Sequence, residues 1–478
     1  MKKGLLLLLL PVLSLTGHTQ DKWDLRRCVE YAVANNISVK QSDVQARLSA
    51  LTLQQSKLTQ LPTLGFSGST GYSAGRNQDP TTYSLTTQGY VFNQYSLQTS
   101  ISFFNFNSLR YNAQGNKYAL EAANSVTDKL RNDVSLNVAN AYLQFLLSYQ
   151  TSKTAELQMN QSQTQLEITR KQVSAGTLPE LNAAELESQV AQDSSAYVTA
   201  LSNVQQAVLN LKAYMSMDAA VPFALDTPSV DKIPIESLVE LQPEMVFSLA
   251  LANQPQQKAD AFQLQAGRKF ADANKAAMYP TFSLFGSLGT SYTNQTVNVA
   301  GVNTGPPSSQ PVGTVTVGAT DYKVYSTSPT FNYIYNKPTY FDQLNQNFRQ
   351  QVGVQVNVPI LSGGALKINY RRAQANLRNY ELQQQLDNLT LKQNIYQAYN
   401  LAVAALQKFE ANKKTVAATQ RSYDYAQKRY KVGMLNTIDL LTNQNNYYKA
   451  KNDLLYSQFD FVFKMKVLEF YKGMGIKL

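Results

Sequence analysis

The sequence predicts a mixed fold in which long antiparallel α-helices and transmembrane β-strands alternate in an internally duplicated chain. Three observations carry that reading: a repeat that aligns with a single insertion, two uninterrupted helical stretches far longer than a globular helix, and short segments alternating apolar with small or polar residues.

The repeat comes first because it sets the architecture. A shift of 218 places Ala32, Asn35, Lys40, Gln45, Lys57, Pro62, Thr63 and Gly68 on Ala250, Asn253, Lys258, Gln263, Lys275, Pro280, Thr281 and Gly286. A shift of 257 places Leu109, Asn112, Ala141, Tyr142, Gly176 and Leu178 on Leu366, Asn369, Ala398, Tyr399, Gly433 and Leu435. The difference is an insertion of 39 residues in a stretch rich in Gly, Pro, Thr, Ser, Asn and Tyr. The first repeat is expected over 20–215 and the second over 243–473. A proline-marked linker at 216–242 joins them and a short tail occupies 474–478.

Each repeat opens with a helical stretch, 25–60 or 243–278, interrupted near Asn35 and Asn36 or before Pro255, because a proline disfavours helix at the residue before it. A strand hairpin follows, 62–104 in the first repeat and 280–361 in the second, the latter holding a long loop at 293–347. Leu64, Phe66, Thr70 and Tyr72 alternate with Gly65, Ser67, Ser69 and Gly71. Val352, Val354, Val356, Val358 and Ile360 alternate with Gly353, Gln355, Asn357 and Pro359. Strands of about ten residues, apolar on one face and wet on the other, suit a transmembrane barrel. Alone they suit equally a half-buried sheet of a soluble domain. Four strands cannot close around a lumen, so a barrel has to be shared between chains.

Long helices are expected at 109–175 and 366–432, each about 100 Å at 1.5 Å per residue. Apolar residues recur at three and four spacings, as in Leu382, Leu386, Leu389, Ile395, Tyr399, Ala402, Leu406 and Phe409, which is coiled-coil packing with a hydrated side. Such helices can line a tube or build a solid scaffold. They end at Gly176-Thr177-Leu178-Pro179 and Gly433-Met434-Leu435-Asn436, where glycine can take the left-handed cap and Pro179 suits the next first turn. The chain then returns as helices at 178–215 and 436–472.

The segments PTLGFSGSTGYS, YPTFSLFGSLG, VPILSGGALK and RYKVGMLNTIDLL, in this duplicated order, resemble the TolC-like outer-membrane efflux family over nearly the whole mature chain. The resemblance implies a homotrimer whose twelve strands form one outer-membrane barrel and whose helices form a tunnel across the periplasm of a Gram-negative bacterium. It implies an exit duct for tripartite efflux or type I secretion, surrounded by outer-membrane lipid and docked by a periplasmic adaptor and an inner-membrane pump. Adaptor docking is then expected at Gly176, Thr177, Leu178, Pro179, Gly433, Met434, Leu435 and Asn436. The entrance gate is expected at Asp439, Tyr430 and Asn182. The family often has a second aspartate where this chain has Thr442, an aspartate at Asn182 and an arginine at Leu435. Against the duct stand an envelope-spanning scaffold without a lumen, which needs no wet strand face, and a diffusion porin, which needs no long helices.

The composition excludes several other classes. The only apolar run near membrane length is N-terminal. Lys2 and Lys3, an apolar core from Leu5 to Leu15, and small residues near Gly17 mark residues 1–19 as a secretory signal peptide. Cleavage there removes His18, the only histidine, leaving no histidine general base and no histidine metal site. A single cysteine, Cys28, allows neither an internal disulfide nor a cysteine-built zinc site, and is expected as a small buried hydrophobe. The acids lie mainly beside Lys, Arg and Gln on helices, so no catalytic residue, metal or cofactor is expected. The excess of 43 Lys+Arg over 32 Asp+Glu is too dilute for a nucleic-acid partner. Gly363-Gly364 lacks the lysine of a phosphate loop and reads as a strand-to-helix joint. Lys428, Arg429 and Lys431 read as an anion contact or a solvated ring.

Overall fold

The structure, a computed structural model, describes residues 22–78, 83–230 and 233–473. The signal peptide expected at 1–19 and the tail at 474–478 lie outside them. The chain divides into a helical unit, comprising the described residues up to Leu53, Gln114–Arg268 and the described residues from Gln374 onward, and a sheet unit of Gln54–Ala113 and Lys269–Ala373.

Each repeat starts with a short helix followed by a longer one: α1 (Leu25–Asn35) and α2 (Ile37–Leu58), then α5 (Pro243–Asn253) and α6 (Pro255–Ala276). Asp24 caps α1 by accepting from the Arg27 amide at 2.8 Å. Asn36 leaves the helical conformation at ψ 127°, and its side chain accepts from the Ser38 amide at 2.9 Å to start α2. In the second repeat Pro255 holds Gln254 at ψ 130° to the same effect.

The long helices are α3 (Ser108–Ser174) and α8 (Ala365–Lys431), of 67 residues each; the returns are α4 (Glu180–Tyr214) and α9 (Thr437–Tyr471), of 35 each. The matching lengths put equivalent residues of the two repeats into twin cores. Cys28, Ala32, Val134, Val138 and Ala141 are buried in one. Val246, Ala250, Leu391, Ile395 and Ala398, at the same repeat positions, are buried in the other. Cys28 thus fills the place that Val246 fills, both 0% exposed, and behaves as a small apolar side chain. Burial pushes its thiol up to about 12. The linker is held to the first core. The Trp23 amide donates to the Ala224 carbonyl and the Asp226 amide to the Trp23 carbonyl, both at 2.9 Å. The Tyr142 hydroxyl donates to the Asp226 carbonyl at 2.8 Å.

In the sheet unit, β1 (Thr63–Gln78), β2 (Leu85–Phe104), β3 (Thr281–Thr293) and β6 (Arg349–Asn357) form an antiparallel sheet in the order β1-β2-β3-β6. β1 and β2 are longer than the ten residues expected, because their ladder runs on to Gln78 and Leu85. β6 is shorter. It ends at Asn357 and not near Ile360, since Pro359 has no N–H for a ladder. Gly363 and Gly364 both have positive φ, 60° and 80°, where the chain turns into α8.

The segment expected as a long loop at 293–347 is ordered differently. β4 (Asn298–Val317) and β5 (Thr320–Asn336) pair as a separate two-stranded ribbon, followed by α7 (Tyr340–Gln346). Register shifts at Gly305/Ser308 and Pro311/Gly313 accommodate Pro306, Pro307 and Pro311, the residues that make the sequence read as loop. α7 opens on a Thr339–Asp342 capping box. It is tied to β3 by the Thr290 hydroxyl donating to the Leu344 carbonyl at 2.6 Å and by the Thr293 amide donating to Gln343 Oε1 at 3.0 Å.

Candidate functional site

Two features carry the functional expectations: the faces of the four-stranded sheet and the turns between the long helices. The register fixes the faces, because paired residues in an antiparallel ladder share a side. Phe66 pairs with Leu97 and Leu97 with Leu288; Leu284 pairs with Val354 and Phe282 with Val356. This face stays open to the surroundings, with Phe66 71% and Val352 78% exposed. On the opposite face Ser67, Ser96, Gly289 and Arg349 form one row, and Gly65, Gln98, Ser287 and Gln351 another. Ser67 and Ser96 hydroxyls lie 2.7 Å apart across that row. Phe92 and Phe285, two large aromatics of this polar face, lie over Gly71 and Gly353. A Cβ at either glycine would come within 2.8 Å of a ring carbon. At one end of the apolar face Phe103, Phe104, Phe106, Tyr279 and Phe282 make successive ring contacts, as in an interfacial girdle. β1 and β6, the outer strands, each leave one edge without a neighbouring strand among the described residues.

The helical turns are built alike. Gly176 and Gly433 have φ of 74° and 77°. In each turn the residue after the glycine donates back five positions, Thr177 to the Gln172 carbonyl and Met434 to the Arg429 carbonyl, both at 2.9 Å, which closes the helix in a Schellman motif. Pro179 starts α4 at ψ 151°, whereas Asn436 starts α9 by accepting from the Asp439 amide at 2.7 Å. Met434 is 70% exposed, and Leu178 and Leu435 are half-buried.

The three residues expected at a gate occupy different settings. Tyr430 is buried with Tyr423, Ala426 and Leu440, and its hydroxyl lies 3.3 Å from the Thr169 hydroxyl. Asp439 is exposed in the first turn of α9, and Asn182 is half-buried in the first turn of α4. Tyr430 therefore ties α8 to α3 from inside the packing, while Asp439 faces outward.

One polar cluster was not legible in the sequence. Asp193, 4% exposed on α4, accepts from the Ser162 hydroxyl at 2.6 Å, Gln158 Nε2 at 2.8 Å and Gln189 Nε2 at 2.9 Å. Gln444 of α9, 1% exposed, donates to Ser162 at 2.7 Å, and the Tyr448 hydroxyl donates to Gln161 Oε1 at 2.6 Å. These side chains knit α3, α4 and α9 through bonds whose partners lie up to 287 residues apart. Three converging donors satisfy the carboxylate without a cation.

The profile of the outer membrane efflux protein family matches residues 29–216 and 246–458, which takes in both repeats. The chain belongs to this family. It is an outer-membrane protein, related to channel and efflux proteins. The outer membrane protein TolC of Escherichia coli (strain K12) is 25% identical over 124 residues, which cover 26% of this chain and 25% of TolC. The outer membrane efflux protein BepC of Brucella suis biovar 1 is 23% identical over 342 residues, covering 70% of this chain and 62% of BepC. The match thus spans a quarter of TolC and under two thirds of BepC. The alkaline protease secretion protein AprF of Pseudomonas aeruginosa is 28% identical over 132 residues, covering 27% of each chain.

Among solved structures, CusC superposes with a TM-score of 0.75 at 15% identity, covering 94% of this chain and 92% of CusC. The outer membrane protein VceC of Vibrio cholerae superposes with a TM-score of 0.71 at 14% identity, covering 95% and 97%. The shared fold is that of outer-membrane channels built from long helices and sheets.

Proposed function

We propose that three copies of this chain close one twelve-stranded barrel and form an exit duct for efflux or type I secretion, fed by an inner-membrane pump through a periplasmic adaptor. The observation that carries the reading is the four-stranded sheet, apolar and open on one face, lined by Ser, Gln and Gly on the other, with no further strand at either edge among the described residues. A sheet with these faces is stable in a bilayer only if its edges are closed. Four strands enclose no lumen, while three sets of four give an even-numbered barrel.

The helices supply independent support. Ile37, Val44, Leu51 and Leu58 recur every seventh residue along α2 and are more than half exposed. Leu382, Leu389 and Tyr396 keep the same period on α8 and are also exposed. Unpartnered heptad stripes of this kind suit coiled-coil contacts with neighbouring copies. The names of related proteins include both an efflux protein and protease secretion proteins, so both cargo classes stay within the reading.

Within the duct, residues 176–179 and 433–436 present the exposed turns to an adaptor. Asp439, Tyr430 and Asn182 belong to the entrance, with Tyr430 bracing the helices and Asp439 offering the exposed charge. Residues 1–19 direct export and are removed. The test is single-particle imaging of the detergent-extracted protein. The expected particle is three-fold and hollow; a solid or water-soluble particle overturns the duct in favour of a scaffold.

A further inference from the structure

The two repeats solve one helix joint with different chemistry. In the first, Ser42 of α2 meets Thr127 of α3 through hydroxyls 2.7 Å apart. The residue 218 positions after Ser42 is Asp260 of α6, and it meets α8 at Asp387, one turn from Gln384, the counterpart of Thr127. The neutral version shows that this joint needs no charge to pack.

Asp260 is 6% exposed, and its Oδ2 has no hydrogen-bond donor. Its other oxygen accepts from Gln256 Nε2 at 2.9 Å. The same amide reaches Asp387 Oδ2 at 3.5 Å, and Gln383 Nε2 donates to Asp387 Oδ1 at 3.0 Å. Asp387 across the joint and Gln256 on its own helix are the polar neighbours that act on Asp260. Two carboxyl groups brought to the same amide cannot both be ionised cheaply; one shared proton would relieve their repulsion.

We propose that Asp260 and Asp387 form a single-proton site that clasps α6 to α8 and releases it when the proton leaves. The amide groups present their N–H ends to both carboxyls, which suits a proton-sharing pair and not a metal ion. Burial and the neighbouring Asp387 raise the Asp260 carboxyl from 3.8 to about 6. The folded state therefore holds a proton that the unfolded state has given up, and the joint weakens as pH rises through about 6. The proposal does not depend on the duct reading, since it concerns one contact within one chain.

The experiment is hydrogen–deuterium exchange on the full chain in detergent, following the amides of α6 at pH 5 and pH 8 after correction for intrinsic rate. In the wild type the opening equilibrium of α6 is expected to rise about tenfold between the two pH values. Asp260→Ser, which copies the first repeat, and Asp387→Asn, which keeps a hydrogen-bonding group, should each abolish the difference. An equal pH response in wild type and both variants overturns the proposal. So does protection at pH 8 that calcium restores and EDTA removes in the wild type alone, which would assign the carboxyls to a divalent cation.

Discussion

Tyr430, one residue from the end of α8, and Thr437, the first of α9, place their hydroxyl oxygens 3.4 Å apart across the Gly433 turn. The same Tyr430 hydroxyl lies 3.3 Å from Thr169 of α3, so one side chain fastens the turn to a second helical pair. Tyr430→Phe keeps the ring in its buried site and removes these bonds. It should lower stability by about 1 kcal/mol and, on the duct reading, raise single-channel open probability in planar bilayers. An unchanged open probability would leave Tyr430 a packing residue.

The turn glycines have space around them but not backbone freedom to spare. A Cβ at Gly176 or Gly433 would meet nothing within 4 Å, so the cost of a side chain is the positive φ alone. Gly176→Val with Gly433→Val should cost about 1–2 kcal/mol per site and distort the exposed turns. Adaptor co-purification should fall while insertion into the outer membrane is kept, and full recovery of adaptor would count against the docking assignment.

The two sheet faces predict opposite responses to charge. Val354, 58% exposed on the apolar face, should tolerate arginine poorly. If that face meets lipid, Val354→Arg costs about 2–4 kcal/mol near the bilayer midplane. Gln355, its neighbour on the polar face, should accept arginine with little change in assembly. The check is the yield of heat-resistant oligomer from outer membranes, and equal yields would remove the lipid-facing assignment.

Asp193 is the hub of the internal polar cluster. Asp193→Ala leaves the buried Ser162 hydroxyl without its acceptor and Gln158 and Gln189 with only their longer bonds to Asn445 Oδ1, and should destabilise the helical unit by about 1–3 kcal/mol. Asp193→Asn keeps one acceptor and should lose less. Chemical denaturation of the two variants in parallel distinguishes them.

Cys28 makes a pH prediction of definite sign. Its folded thiol ionises only at about 12, against 9.0 for an ordinary thiol. The unfolded chain gives up the proton first as pH rises, so stability is lost between about pH 9 and 12 and is unaffected below. A maleimide should leave Cys28 unlabelled at neutral pH until the protein unfolds; rapid labelling of the native protein would contradict its burial.

The parts of this fold visible in the sequence are those written in local order. The repeat offset aligned Val246 with Cys28 and Ala250 with Ala32, and the same pairs occupy the twin cores. Gly176 and Gly433 announced the helix ends because only glycine takes φ above 70° without strain. The β4–β5 ribbon was hidden because Pro306, Pro307 and Pro311 break the alternation, and the bulges that absorb them exist only once the strands are paired. Asp193 was hidden for a different reason. Its partners lie up to 35 residues away on a neighbouring helix, and a carboxylate satisfied by amides and a hydroxyl has no sequence signature apart from a polar residue on a helix.

The outer edges of β1 and β6 also bear on how the protein is made. Strand edges with no neighbouring strand among the described residues can bond to an extended strand they meet, so every newly exported copy is adhesive until it finds others of its kind. On the three-copy reading, the supply of finished particles rises more steeply than the supply of chains at low expression. Export without enough copies leaves material for proteolysis or aggregation.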